Sequence, residues 1–211
     1  MKTARLAIYD FDGTMIRGDS IVGFLRLAFR SGVIGVRTLL RAGALGIASR
    51  MKLIRPEVAK AKALSFCLRL DPARLRALSE AYAGQLYAEI RHDALRQMKR
   101  DRDEGRIVVL LSASTDNYML PLAERLPADA VICTGIKKLP AGNCRGQEKL
   151  RRLTAWLNEN GIIPDYQHSS AYADSASDAP ILRLTGHSVL VCPTWHTRQK
   201  LKRLYPIEYW R

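Results

Sequence analysis

The chain has 211 residues, with 34 Lys and Arg against 20 Asp and Glu, and a net charge of +14 at pH 7. With 47% hydrophobic and only 26% charged residues it is a folding sequence, not a disordered basic tail. Its four cysteines, Cys67, Cys133, Cys144 and Cys192, are far apart and have no histidine at zinc-ligand spacing, which excludes a disulfide framework and a zinc ribbon and fits a reducing, cytoplasmic compartment.

A chain of this length buries roughly 70% of the surface its unfolded form exposes, enough for one domain with a sizeable insertion or two small ones. At the N-terminus, MKTARLAIYDFDGT sets two acids where a signal peptide needs its apolar stretch, so export is not expected. The excess positive charge fits nucleic acid, an anionic membrane surface or a phosphorylated substrate, and does not choose among them.

In chain order, residues 5–9 form an apolar run that stops at Asp10 and reads as a buried strand. Residues 20–102 hold no convincing strand and several helix-period stretches. The best runs from Asp71 to Arg100, opening on an Asp-Pro start with Leu75, Leu78, Tyr82, Leu86 and Ile90 at helical spacing. Further strands are predicted at 106–111, 129–133, 169–173 and 187–192, and helices at 117–125, 147–160, 179–184 and 196–204. Strands alternating with helices predict an α/β fold: a Rossmann-like, mostly parallel sheet with helices on both faces and an all-helical cap inserted after the first strand. The expected division is a core of residues 1–18 and 103–211 and a cap of 19–102. Ligands of such sheets sit beyond the carboxyl ends of the strands.

Four polar signals fall at those ends. Asp10-Phe11-Asp12-Gly13-Thr14 places two carboxylates that either converge on a cation or shared proton, or cap the next helix. Ser112-Ala113-Ser114 ends a strand before a helix N-terminus and is an anion site or a simple N-cap. Lys149, near a helix start, is on its own only a basic residue in a basic chain. Asp174-Ser175-Ala176-Ser177-Asp178 suits a hard cation or a capped first turn.

Together, DFDGT, VVLLSAS, N-C-R-G with Lys149 after it, and ADSASDAPIL resemble the haloacid dehalogenase superfamily, in the subclass with a helical cap that contains phosphoserine phosphatases. The resemblance spans Asp10 to Leu182 and implies a phosphatase that passes a phosphoryl group through an aspartyl-phosphate. It implies Asp10 as nucleophile and Asp12 as acid and base. Mg2+ would be held by Asp10, the Asp12 carbonyl, Asp174 and Asp178. Ser112, Lys149 and the Gly13 and Ala113 amides would face the phosphate, and Thr14 would lock the loop. Ala173 stands where many members have Gly, and Asp19 lies near the position of a substrate-binding Glu. The substrate class so implied is a small phosphorylated metabolite, with a phosphorylated lipid head group as the alternative. A non-catalytic phosphate- or nucleic-acid-binding protein is disfavoured because both Asp10 and Asp12 are kept.

Residues 24–54 are apolar but interrupted by Arg26, Arg30, Arg37, Arg41 and Arg50, too many charges for a bilayer span. They predict the core of a cap bundle or a basic amphipathic surface in peripheral contact with an anionic membrane. If 24–41 were one helix, Arg26, Arg30, Arg37 and Arg41 would share an arc of about 60°; Ser31-Gly32 is the point where it would break. The tail, 196–211, interleaves basic and aromatic residues but carries no nucleic-acid motif, so aromatics packed on the sheet are the expectation. Neither charge nor motif sets an oligomeric state.

Overall fold

The computed structural model describes residues 2–211. The strand expected at residues 5–9 is β2 (Leu6–Tyr9), and a separate short strand, β1 (Lys2–Ala4), precedes it. Helices α1 (Ser20–Arg30), α2 (Val36–Arg50), α3 (Pro56–Ala63), α4 (Pro72–Glu89) and α5 (His92–Asp103) follow without an intervening strand. Then come β3 (Ile107–Thr115), α6 (Asp116–Ala123), β4 (Ala130–Thr134), α7 (Gln147–Glu159), β5 (Ile162–Pro164), β6 (Ser170–Ala173), α8 (Ala179–Leu182), β7 (His187–Val191), α9 (Trp195–Leu201) and β8 (Ile207–Glu208).

The main sheet has six parallel strands in the order β4-β3-β2-β6-β7-β8, and β1 pairs with β5 in a small parallel ribbon. Both faces of the main sheet are covered. Ala7, Tyr9, Val108 and Leu110 point into one hydrophobic cluster, and Leu6, Ile8, Val109 and Leu111 into the other. That is why these strands read as unbroken apolar runs instead of alternating ones. The Rossmann-like α/β fold with helices on both faces is the one expected.

Three expectations about elements change. The predicted helix from Asp71 to Arg100 is two helices, because Ile90 is extended (ψ 134°). The Arg91 amide leaves the helix ladder to donate to the Met15 carbonyl at 2.8 Å, and its guanidinium donates to the Trp210 carbonyl at 2.6 Å. The stretch 24–41 breaks after Arg30, where Gly32 takes φ +66°, so the four arginines do not share one helical face. β3 continues past Leu111 to Thr115, with a register shift against β4 between those residues. The ribbon β1–β5 and the two-residue β8 are too short to carry a sequence signal.

In the tail, Trp210 is buried against Tyr9 and Tyr172, with ring centroids 6.3 and 5.3 Å away, while Trp195 and Tyr209 are exposed. The larger hydrophobic cluster does not stop at the sheet. It runs from Tyr9 and Phe11 through Phe24, Tyr82, Leu86 and Tyr118 into the helical segment. Phe24, Tyr82 and Tyr118 pack at 5.3–5.5 Å in three aromatic pairs.

Candidate active site

The carboxyl ends of β2, β3 and β6 and the start of α7 meet at one point. Asp10 follows β2, and its amide is fixed by the Tyr172 carbonyl of β6 at 2.9 Å. Asp174 follows β6, and Asp178 ends the short turn before α8. One carboxylate oxygen from each of Asp10, Asp174 and Asp178 lies within 4.8 Å of the other two.

Lys149, the third residue of α7, reaches into this cluster. Its Nζ donates to Asp10 Oδ1 at 2.6 Å and to Asp178 Oδ1 at 2.5 Å, and its side chain is only 4% exposed. Gly146 caps α7 at φ +60°, a left-handed conformation that suits glycine and turns the chain so that Lys149 points inward. Asp178 Oδ2 accepts from Ser175 Oγ at 2.6 Å.

The charges do not balance. Three carboxylates face one ammonium in a buried space. Burial, opposed by Lys149 and reinforced by Asp178, pushes the Asp10 carboxyl up to about 6. Burial and the charges of Asp10 and Asp178 push Asp174 up to about 7. Burial alone would pull Lys149 down, but Asp10 and Asp178 hold it above the usual lysine range. An all-oxygen donor set short of positive charge is what a hard divalent cation such as Mg2+ requires, so the residues present fit such an ion.

Asp12 belongs to the same loop but its side chain turns away from the cluster. Its Oδ1 accepts from the Ser20 amide at 2.7 Å, and its Oδ2 accepts from Ser114 Oγ. Ser114 Oγ in turn meets Ser20 Oγ at 2.8 Å, and Ser20 Oγ lies 3.0 Å from Tyr118 Oη. Burial, with the charge of Asp19 beside it, raises the Asp12 carboxyl against the lowering effect of the Ser114 and Ser20 bonds. Asp12 therefore takes up a proton more readily than a free aspartate does. Asp12 also satisfies the first amide of α1, as the capping alternative for Asp-x-Asp expects.

Gly13 sits at φ +81°, and a Cβ on it would overlap the Asp174 carboxylate. Its amide donates to the Gly18 carbonyl at 3.0 Å, so the group expected to face phosphate is engaged within its own loop. Thr14 Oγ1 donates to Asp10 Oδ2 at 3.1 Å, tying the loop to the Asp10 side chain. Ser112 is buried and its Oγ accepts from the Ser114 amide at 3.0 Å. Ala113 is half-buried beside it. Asp19 stands apart from the cluster: it is exposed and caps α1 by accepting from the Ile21 amide at 2.9 Å.

Sequence reasoning missed Lys60. Its Nζ comes from α3 to donate to the Ala113 carbonyl at 2.8 Å and to Asn143 Oδ1 at 3.0 Å. Burial lowers its pKa, while the charges of Asp12 and Asp19 oppose the drop. Nothing in the sequence separates Lys60 from the chain's other basic residues, and the same is true of Ser20. Only Ser114 lay inside a motif already singled out.

A parallel sheet with acids and a lysine gathered at its carboxyl edge and a helical insertion after β2 defines a Rossmann-like α/β architecture. The chain belongs to the haloacid dehalogenase-like hydrolases: that family's model matches residues 7–183. It is 30% identical over 192 residues to the protein CicA of Caulobacter vibrioides, covering 85% of this chain and 82% of that one. It is 25% identical over 202 residues to the phosphoserine phosphatase SerB1 of Mycobacterium tuberculosis, covering 89% and 64%. In fold it is similar to a Bordetella pertussis protein of unknown function, with a TM-score of 0.88 over 98% of both chains at 20% identity. It also resembles a phosphoserine phosphatase structure representing the phospho-aspartyl intermediate, with a TM-score of 0.63 at 18% identity over 98% and 93% of the two chains.

Proposed function

We propose that the chain is a Mg2+-dependent phosphatase acting through an aspartyl-phosphate on a small phosphorylated metabolite. The observation that carries the reading is Asp10, a carboxylate with one oxygen on Lys149 and the other on Thr14, at the edge of a carboxylate cluster short of positive charge. Membership of a hydrolase family and the phosphatase names among its relatives support it.

In this reading Asp10 attacks phosphorus as its ester oxygen leaves, giving an acyl phosphate and dividing a hard displacement into two steps. Asp12, whose carboxyl burial raises above the free aspartate range, gives a proton to the departing alkoxide. It then takes one from the water that cleaves the acyl phosphate, releasing inorganic phosphate and restoring Asp10. Lys149 and the Ser112 hydroxyl stabilise charge on the transferring oxygens, with the Ala113 amide as a further donor. Asp10, Asp174, Asp178 and the Asp12 carbonyl would hold Mg2+, which supplies charge neutralisation at the phosphoryl group. Residues 19–102 act as the cap that selects the ester. Lys60 brings a cation from that cap to the rim of the site, and Asp19 lies on the same side as a substrate contact.

The test is turnover of p-nitrophenyl phosphate by the full chain and by Asp10→Asn. Loss of turnover with an unchanged fold is expected, and a variant hydrolysing near the wild-type rate overturns the assignment.

A further inference from the structure

α2 is apolar on both faces. Leu39, Ala42, Leu45 and Ala48 turn toward the protein with Thr38 and Ser49, while Val36, Leu40, Ile47 and the capping Met51 face solvent. The outward four fall within an arc of about 60° at 3.6 residues per turn. Leu40 is 68% exposed and Ile47 61%. Past the end of α2, Leu53 is likewise exposed.

Arginines line both edges of this stripe. By the same rotation, exposed Arg37 and Arg41 stand on one side and exposed Arg50 on the other. Residues 20–64 carry six Arg and three Lys against one acid, Glu57. More than half of the chain's net charge of +14 is thus gathered on one helical segment.

We infer that the outer face of α2 docks on an anionic lipid surface, its apolar stripe entering the headgroup region and its arginines meeting lipid phosphates. A second copy of this chain would bring the same excess of positive charge against itself in a two-fold contact. Nucleic acid would match the arginines but leave the stripe unpaired, because α2 offers no aromatic side chain for bases to stack on. An apolar stripe edged by cations offers the two contacts that an anionic bilayer interface provides, acyl-chain boundary and phosphate. Among the described residues no helix is long and apolar enough to cross a membrane, so the contact is peripheral. Docking needs no turnover and stands apart from the phosphatase reading.

The experiment is co-sedimentation of the full chain with vesicles of phosphatidylcholine, alone or mixed with phosphatidylglycerol. Sedimentation is expected only with the anionic vesicles and should weaken when salt rises to about 0.15 M. Leu40→Glu/Ile47→Glu should lose binding while keeping p-nitrophenyl phosphate turnover and thermal midpoint, since both side chains are exposed. Arg37→Ala/Arg41→Ala should weaken anionic binding about thirtyfold. Absence of binding at low salt, or equal binding by the double Glu variant, overturns the inference. So does a concentration-dependent dimer that the same variant dissociates, which would assign the stripe to a second copy.

Discussion

Lys149 and Asp10 are 139 positions apart in sequence and 2.6 Å apart in space, and they meet where β2 ends and α7 begins. Among the described residues Lys149 is also the only cation contacting Asp178, at 2.5 Å. One side chain therefore compensates two buried carboxylates, and a third, Asp174, adds to the load.

Removing it should cost more than removing either partner. Lys149→Met leaves Asp10 and Asp178 buried without a counter-charge, a change expected to destabilise by about 3–5 kcal/mol in metal-free buffer. Asp10→Asn relieves repulsion among the acids and should leave stability near wild type or raise it. Urea unfolding in EDTA distinguishes them; a Lys149→Met variant within about 0.5 kcal/mol of wild type would show that the pair is not a buried ion pair at all.

Gly13 is where backbone conformation and site geometry coincide. Gly13→Ala incurs about 1–2 kcal/mol for a left-handed φ. It also forces the new Cβ against Asp174. A displaced Asp174 is expected to lower kcat by about 10²-fold, the scale of an ångström-sized misplacement. Steady-state kinetics beside a thermal melt checks this, and an active, stable alanine variant would falsify the proposed crowding.

A divalent cation should stabilise the fold by binding the native cluster and not the unfolded chain. Mg2+ is expected to raise the thermal midpoint, EDTA to reverse the rise, and Asp174→Ala to abolish it. In the activity assay EDTA should stop hydrolysis and Mg2+ restore it. A midpoint indifferent to Mg2+ in wild-type protein, or a rise preserved in Asp174→Ala, counts against the acid cluster as the binding site.

How legible each part was depends on whether its cause is local. The strands of the main sheet were readable because a strand buried on both faces has no polar alternation to blur it, as Ile8 and Val109 illustrate. Asp10, Asp174 and Asp178 were readable because strand ends are local features and the sheet aligns them. The break at Ile90 was not: it depends on the Arg91 amide finding Met15, a contact no helical period encodes. Lys149 taken alone was only a basic residue near a helix start, and its place in the site came from the resemblance; Lys60 was one cation among many until α3 laid it on Ala113. The hydroxyl chain from Asp12 through Ser114 and Ser20 to Tyr118 joins residues about a hundred positions apart. Its members have no shared spacing to detect.

The aromatic contact among Phe24, Tyr82 and Tyr118 joins the helical segment to the sheet. Tyr82 Oη donates to the Ser20 carbonyl at 2.5 Å, in the space left by Gly23, whose missing side chain lets the ring approach. α1 and α4 thereby become extensions of the sheet's own interior. The hairpin of α2 and α3 reaches the same strand ends by a different tie, Lys60 on the Ala113 carbonyl. A surface that captures α2 would therefore pull on a segment fastened to the strand that carries Ser112 and Ser114.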